Sequence, residues 1–553
     1  MVRGTYVSAL LPEEHLLRRI AIVFSIPAFV FFLQIYPRFL NPNEASRLLL
    51  TSAIADDHTV AIDQAIRRYE DVGDKSVFEG RTYAAKSVGY SAIAVPFYVF
   101  LPDTLKAAGL RPLGYGLHIL VNLIALAAFT FFFFRYLRDS VGAGSKAYLL
   151  IAAFLFGTLI YPFAQLFISH VLTGICWFLA FAILTDREGK ASVFIAGALL
   201  GLSFLLEIPS AVTILVFTVW IAFKRTRLLP YYLVGLGLLA LPSFLFNLFV
   251  FHHPLHWAYE HVASLDQAGH KVGYIGISTP SLQVLWNLTF GNSRGFFYYM
   301  PHLIFGAYGI VSERRKTGQA LLAGAIILLN FLFYSGYSHW DGGWSFGPRF
   351  LIPTIPFFIY GCALWFARPV ERHARLKEVF FLCYLALLSF TIPLMLYGTA
   401  TFPFTTDLPH GVFFQNMMLY WRGCFGTNAG DFFGLAPGAI QTLSILLVCV
   451  PVAALLQLSR IKVAYLVSFL SVLLLLLMAG KQMSVRIEQS LPARYCLVAG
   501  RTAYYQGHDP EAVLFLVNAL RRNPIPEVRG NAIALLSAIE TTGTQRHGDR
   551  KWR

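Results

Sequence analysis

The chain has 553 residues, of which 57% are hydrophobic and only 13% charged, with a mean hydropathy of +0.60. Soluble domains carry about 25% charged residues, so a soluble protein is excluded, and the alternating ten-residue segments of a transmembrane barrel are absent. The net charge of +15 would suit a nucleic-acid ligand, but the placement of the bases along the chain gives it another meaning.

Apolar runs of about 17–25 residues recur from one end to the other, each able to cross a hydrocarbon core ~30 Å thick. The expected fold is therefore an all-α polytopic membrane protein. Its spans, about thirteen on this length criterion, fall near 15–37, 114–136, 146–163, 167–184, 191–207, 210–223, 229–250, 299–311, 318–336, 350–367, 378–398, 437–456 and 461–480. The first lacks a small-residue cleavage site and reads as a retained span rather than a removed signal. Basic clusters then alternate sides. Arg18 and Arg19, Arg135 and Arg138, Arg187 and Lys190, and Lys224, Arg225 and Arg227 share one face. So do Arg314, Arg315 and Lys316, then Arg368, Arg372, Arg375 and Lys377, then Arg460 and Lys462. Short basic loops mark the cytoplasmic side. The expectation is a plasma (inner) membrane protein with its N-terminus inside and its C-terminus outside, whose charge is topological, with no nucleic-acid partner.

This topology leaves the segments 38–113, 251–298, 337–349 and 399–436 outside, followed by a tail from about 481. The cytoplasmic connections are short. Chemistry is expected on the outer face, where cytosolic nucleotide-activated donors are unavailable, so an activated substrate must arrive attached to lipid.

The first outer segment opens with Asn41-Pro42-Asn43-Glu44, turn and capping residues ahead of a helical pattern. Glu44 sits at a helix N-terminus, where the dipole favours its anion, and Arg47 follows on the same face. Capping alone explains this pair equally well. Asp74-Lys75, Gly80 to Tyr83 and Lys86 come next, and Gly89 to Tyr98 returns along the membrane surface. Lys86 suits either lipid headgroups in general or one substrate phosphate.

Further along, His170 begins one span and Glu207 ends another, both at the outer side. The stretch from His252 to His261 is rich in ligand types. Sugar or acceptor contacts are the preferred reading there, with metal binding the alternative; a divalent metal is possible but no cofactor is required. Arg294 lies in a tight turn at 291–295, split between phosphate contact and structure. The segment 335–349 is too glycine-rich for a span. It sets His339, Asp341 and Arg349 at the lip of an apolar helix, where ionisable groups are expensive and usually paired or functional. Arg349 can hold a phosphate with its planar fork or pair with Asp341. The six cysteines have no zinc spacing. Cys424 and Cys496 can pair only if both face the oxidising side, and unpaired thiols are the simpler expectation.

The tail from 481 to 553 reads as a small helical unit, with a HEAT-like repeat over 509–540. One repeat cannot bury its own core, so it should dock on the membrane domain (1–480) or on a protein partner.

Five motifs in order carry a family resemblance: GRTYAAKSVGYSAIAVPFY at 80–98, HVLTG at 170–174, GLSFLLEIPS at 201–210, GNSRGFFYYMP at 291–301 and WDGGWSFGPRFLIP at 340–353. With the acid at Glu44, they resemble bacterial membrane glycosyltransferases of the GT-C superfamily, near the protein O-mannosyltransferase and aminoarabinose-transferase types. The resemblance spans most of residues 15–400 and leaves out the tail. It implies transfer of a sugar from a polyprenyl-phosphate donor to a hydroxyl of a glycan, lipid or protein acceptor. It further implies a first outer loop with two amphipathic helices over the donor site, and Glu44 as the general base or the group that positions the acceptor. Lys86, Arg294 and Arg349 are then candidates for the leaving phosphate. Arg47, Tyr83, His170, Glu207, His261, His339 and Asp341 are candidates for substrate contacts. Related enzymes often carry a second acid between spans three and four; this chain has Gln165 and His170 there, which puts a shared metal site in doubt. A transporter for lipid-linked glycans is the competing class, but such proteins show repeated halves and polar groups at mid-membrane. A non-catalytic binding protein for the same lipids is the other alternative.

Overall fold

A computed structural model describes residues 12–31, 41–262, 276–313, 317–368, 374–402, 412–473, 476, 493–522 and 524–550. Helices account for nearly all of its regular structure. Six are long and apolar enough to cross a membrane: Leu110–Ser140, Thr226–Phe251, Gly318–Ser335, Arg349–Phe366, Arg375–Ala400 and Pro437–Leu458. The chain is thus a multi-span helical membrane protein. Among the described residues thirteen full spans are not confirmed. Lys146–Phe156 and Ser210–Lys224 are apolar but shorter than the ~17–25 residues a crossing needs, and His170–Asp186 and Lys190–Leu206 are at its lower limit. The sequence shows why they stop: Gly157 caps Lys146–Phe156 and the extended Glu207 caps Lys190–Leu206, just before Pro209. Arg314, Arg315, Lys316 and Arg372, used above to orient the chain, lie outside the described residues, as do the first residues of the tail, 481–492.

The first outer segment departs from the all-α expectation. Between its helices Pro42–Asp56 and Val88–Val99 stands an antiparallel hairpin, β1 (Lys75–Phe78) and β2 (Arg81–Ala84), in register Lys75↔Ala84 to Phe78↔Arg81. Glu79 and Gly80 form its two-residue turn, both with positive φ (47° and 75°), the combination that follows strand twist. Val77, Phe78, Thr82 and Tyr83 supply the branched and aromatic residues that strands favour.

Small residues set the close approaches around this loop. A side chain on Gly197 would strike the Tyr232 carbonyl and one on Gly235 the Phe194 carbonyl, so Lys190–Leu206 and Leu229–Phe251 meet backbone to backbone, as membrane helices without a hydrophobic drive do. Gly89 likewise lies against the Leu205 carbonyl. That contact seats the loop helix Val88–Val99 beside the end of the helix that presents Glu207.

The tail helices Ala493–Gln506, Asp509–Arg521 and Pro526–Arg550 share one apolar cluster, including Cys496, Ala503, Phe515 and Leu516, with Met418, Leu419 and Cys424 of the 399–436 segment. Gln506 Nε2 donates to the carbonyls of Thr401 (2.9 Å) and Cys424 (3.0 Å). The tail is therefore docked on the membrane domain. Cys424 and Cys496 are both buried and not disulfide-bonded to each other.

Candidate functional site

The site starts from the cap of Pro42–Asp56. Asn41 Oδ1 accepts from the Asn43 and Glu44 amides (2.9 and 3.4 Å), and Pro42 occupies the first turn, where its missing N–H is no loss. One turn on, Arg47 is almost wholly buried (1% exposed). Its Nη2 donates to Glu207 Oε1 (2.9 Å) and Ser169 Oγ (3.0 Å). Glu207 also accepts from the Ser169 hydroxyl and lies 3.6 Å from His170 Nδ1. A wholly buried arginine without such partners would be prohibitive; here two segments far apart in sequence, at 169 and 207, supply them.

The hairpin supplies the next pair. Asp74 and Lys86 flank its open end, where the Ala85 amide donates to the Asp74 carbonyl (3.2 Å), so strand pairing brings their side chains together at 2.9 Å. Lys86 also lies over the Tyr259 ring at 5.4 Å. Burial alone would raise the Asp74 carboxyl, but Lys86, helped by Arg349 and Arg47, outweighs it and holds the group below its ordinary value.

Arg349 is different. Among the described residues it has no ion pair or hydrogen bond from its guanidinium, and its Nε is buried without a partner. Asp74 and Glu207 act on it only through space. Its guanidinium carbon lies 5.2 Å from the Phe350 ring centre, and Gly342 leaves room for its stem. His170 Nε2 and Asn43 Oδ1 are also buried without partners. Asn43 Oδ1 is an acceptor, so the unspent donors are those of Arg349, and an unpaired guanidinium fork is what an anion requires.

Arg47, Lys86, His170, Glu207, His339 and Arg349 all line one cavity of about 780 Å³. The same cavity has an apolar wall that includes Phe204, Val212, Phe244, Trp257 and Phe333, and Tyr505 from the tail reaches it. A charged head and an apolar body can therefore be held together.

Five residues proposed from the sequence are not on the cavity wall. Arg294 is fully buried and its fork is spent on the 341–343 turn: Nε to the Asp341 carbonyl (2.6 Å) and Nη2 to the Gly343 carbonyl (2.8 Å). It is a clamp on the loop leading to Arg349 rather than a phosphate ligand. Asp341 forms no ion pair with Arg349; its carbonyl serves Arg294 instead. Tyr83 packs against Phe251 (6.0 Å between rings), and His261 stacks on Phe251 (5.0 Å) and meets Phe78 edge-on (4.8 Å). Glu44 lies on the same helix as Arg47, but its carboxylate turns to the Phe167 amide (2.6 Å). Burial pushes that carboxyl up to about 7, against the lowering effects of the Phe167 N–H and Arg47.

The Phe167 amide is itself held. Asn122 Nδ2 donates to the carbonyls of Leu166 (2.7 Å) and Ile168 (3.3 Å), and Tyr90 donates to Asn122 Oδ1 (2.7 Å). Asn122 lies in a π-helical turn, Ile119–Leu123, a device common at functional sites. Sequence reasoning missed Asn122, Ser169 and Asp74 as site residues. Only Asp74, a carboxylate in a polar run outside the membrane, carried a visible signal. Among the described residues the histidines at 252–261 do not gather three metal ligands; the group that does is Cys424, His508 and Glu511.

No protein-family model matches the chain and no curated protein matches it. Among solved structures it is similar to ArnT from Cupriavidus metallidurans, in a crystal structure bound to undecaprenyl phosphate. The identity is 14%, the match covers 93% of this chain and 89% of that one, and the TM-score is 0.47.

Proposed function

We propose that the protein transfers a sugar from a polyprenyl-phosphate donor to a hydroxyl acceptor at the membrane surface. One observation carries the reading: Arg349, with no hydrogen-bond or ion-pair partner for its guanidinium among the described residues, shares a cavity with Lys86 and an aromatic wall. A lipid phosphate has that division, a dianionic or monoanionic head on an apolar chain. The motif resemblance across residues 80–353 points the same way.

The chemistry follows from these residues. The acceptor oxygen attacks the anomeric carbon as the bond from that carbon to the lipid-phosphate oxygen breaks, and the phosphate leaves with the electron pair. Lys86 and Arg349 stabilise the charge that grows on it, without protonating it. Glu44 takes the acceptor proton, which in this reading requires its carboxylate to exchange the Phe167 amide for the acceptor hydroxyl. A carboxyl poised near 7 suits a base at neutral pH, worth roughly 10²–10⁴ in rate. One displacement inverts the anomeric centre. The acceptor is a glycan, a lipid or a protein.

The test is transfer from a radiolabelled polyprenyl-phosphate sugar by the purified protein in liposomes, alongside binding of the polyprenyl phosphate alone. Glu44→Gln is expected to bind lipid phosphate normally and to lose turnover. Full-rate transfer by Glu44→Gln sinks the base assignment, and wild-type protein that binds no polyprenyl phosphate sinks the reading as a whole.

A further inference from the structure

Outside the cavity, three groups with metal-binding chemistry converge where the tail meets the membrane domain. The ligand atoms of Cys424, His508 and Glu511 all lie within 4.8 Å of one another. Cys424 follows the turn after helix Val412–Trp421, where its amide donates to the Leu419 carbonyl (2.9 Å), and it is fully buried. His508 and Glu511 stand three residues apart at the start of Asp509–Arg521, on one face of that turn.

Each group has an ordinary explanation alone. A buried cysteine fills an apolar cluster, and an acid in a first helical turn favours the dipole. Together they show more. His508 Nε2 lies 2.7 Å from the Phe425 carbonyl oxygen and 3.1 Å from the Phe425 amide nitrogen. In the tautomer that donates Nε2–H along the shorter of these contacts, Nδ1 keeps its lone pair, and it has no hydrogen bond of its own. Metal-ligating histidines are oriented in this way, with the far ring nitrogen tied to a carbonyl. Glu511 has no hydrogen bond or ion pair among the described residues, so its carboxylate is free to turn. The Cys424 backbone is fixed by Gln506 Nε2 on its carbonyl (3.0 Å). Sulfur, nitrogen and oxygen ligands about 3.5 Å apart are what a zinc tetrahedron needs, a contraction within reach of side-chain rotation from the present spacing.

We propose that Cys424, His508 and Glu511 bind a zinc-class divalent cation that fastens the C-terminal helices to the 399–436 segment. Binding displaces the thiol proton of Cys424 to solvent, leaving a thiolate ligand, a neutral imidazole and a carboxylate. Water takes the fourth position. The fastening has a reach beyond the tail, because helix Ala493–Gln506 carries Tyr505 to the wall of the main cavity. The inference stands apart from sugar transfer, since its readout is metal content.

The experiment uses the full-length protein in detergent, stripped with chelator and titrated with zinc chloride, with bound metal read by mass spectrometry. Cobalt chloride provides a second readout, a thiolate-to-cobalt charge-transfer band. Wild type is expected to retain a single zinc per chain and to gain thermal stability on binding. Cys424→Ser and Glu511→Gln are expected to lose at least about tenfold in zinc affinity, in line with ligand-shell changes elsewhere, and Cys424→Ser to lose the cobalt band. Cys496→Ser, in the same apolar cluster, should bind as wild type does. Glu511→Gln guards against misfolding, because its metal-free melting temperature is expected to equal that of metal-free wild type. Absence of zinc on wild type, or equal zinc on wild type, Cys424→Ser and Glu511→Gln, overturns the proposal.

Discussion

Arg47 Nη2 lies 2.9 Å from Glu207 Oε1, joining the first outer loop to the end of a helix 160 residues further on. Both groups are largely out of water, at 1% and 13% side-chain exposure. Removing one member strands the other, which costs about 3–5 kcal/mol, whereas replacing both by apolar residues is often neutral. Glu207→Ala is therefore expected to lower the melting temperature in detergent by several degrees. The double variant Arg47→Met with Glu207→Leu should recover much of that loss. A Glu207→Ala protein as stable as wild type would show that the pair does not hold the loop.

Arg349 should respond in the opposite way, because its guanidinium has no hydrogen-bond or ion-pair partner among the described residues to strand. Arg349→Ala is expected to change stability by less than about 1 kcal/mol. Its affinity for polyprenyl phosphate should nevertheless fall about 10–100-fold, the loss of a charge-assisted contact worth about 1.5–3 kcal/mol. Lys86→Ala strands Asp74, its partner at 2.9 Å, and should lose affinity and stability together. Melting curves and lipid titrations on the two variants separate these patterns. Unchanged affinity in Arg349→Ala would remove that residue from the site.

The contrast between these residues also marks what the sequence could disclose. His170, Glu207 and Arg349 stand out because ionisable groups at the edge of apolar runs are rare and costly, Arg47 and Lys86 because they belong to a polar segment directly after an apolar helix, and His339 for its place in a glycine-rich segment; one cavity gathers all six. Arg294 stands out in a tight turn, and it binds two backbone carbonyls. Charge at the membrane edge identifies a group that must be satisfied; only tertiary contacts say by what. The hairpin at 75–84 is short, and its only sequence signal is the branched and aromatic Val77, Phe78, Thr82 and Tyr83 on either side of Glu79-Gly80, which the helical patterns flanking it outweigh. The six long spans were legible from hydropathy. The shorter apolar helices differ from the sequence reading in extent, because hydropathy runs on past the backbone breaks at Gly157 and Glu207.

The clamp role of Arg294 gives a further prediction. Arg294→Ala abandons the carbonyls of Asp341 and Gly343, and Arg294→Lys cannot span both with a single ammonium. Both variants are expected to melt lower than wild type, by about 1–3 kcal/mol for the unsatisfied carbonyls. Lipid-phosphate affinity should then weaken only through disorder of the 341–349 segment, and stabilising conditions such as lower temperature should restore it. An Arg294→Ala protein with normal stability and a large, temperature-independent loss of affinity would return Arg294 to the phosphate site.

Glu44 ties stability and turnover to one titration. Its carboxyl is raised from an ordinary 4.5 to about 7 by burial. Between those values the folded protein binds more protons than the unfolded chain, so this residue's contribution makes stability fall as pH rises from 4.5 to 7, and the penalty stays constant above 7. Gln cannot ionise. Glu44→Gln should therefore match wild type near pH 4.5 and exceed it in melting temperature above pH 7, with the gap opening across that window. If Glu44 is also the base, the wild-type transfer rate should fall on the acid side with an apparent pKa near 7, because only the carboxylate accepts a proton. The two measurements are independent: one is made without substrate and the other depends on it. A stability gap that opens between 4.5 and 7 without an acidic limb in rate would leave Glu44 as a buried cap whose ionisation is merely costly. A gap that levels off at the pH where the rate reaches its half-maximum would join the group that destabilises the loop to the group that performs the transfer.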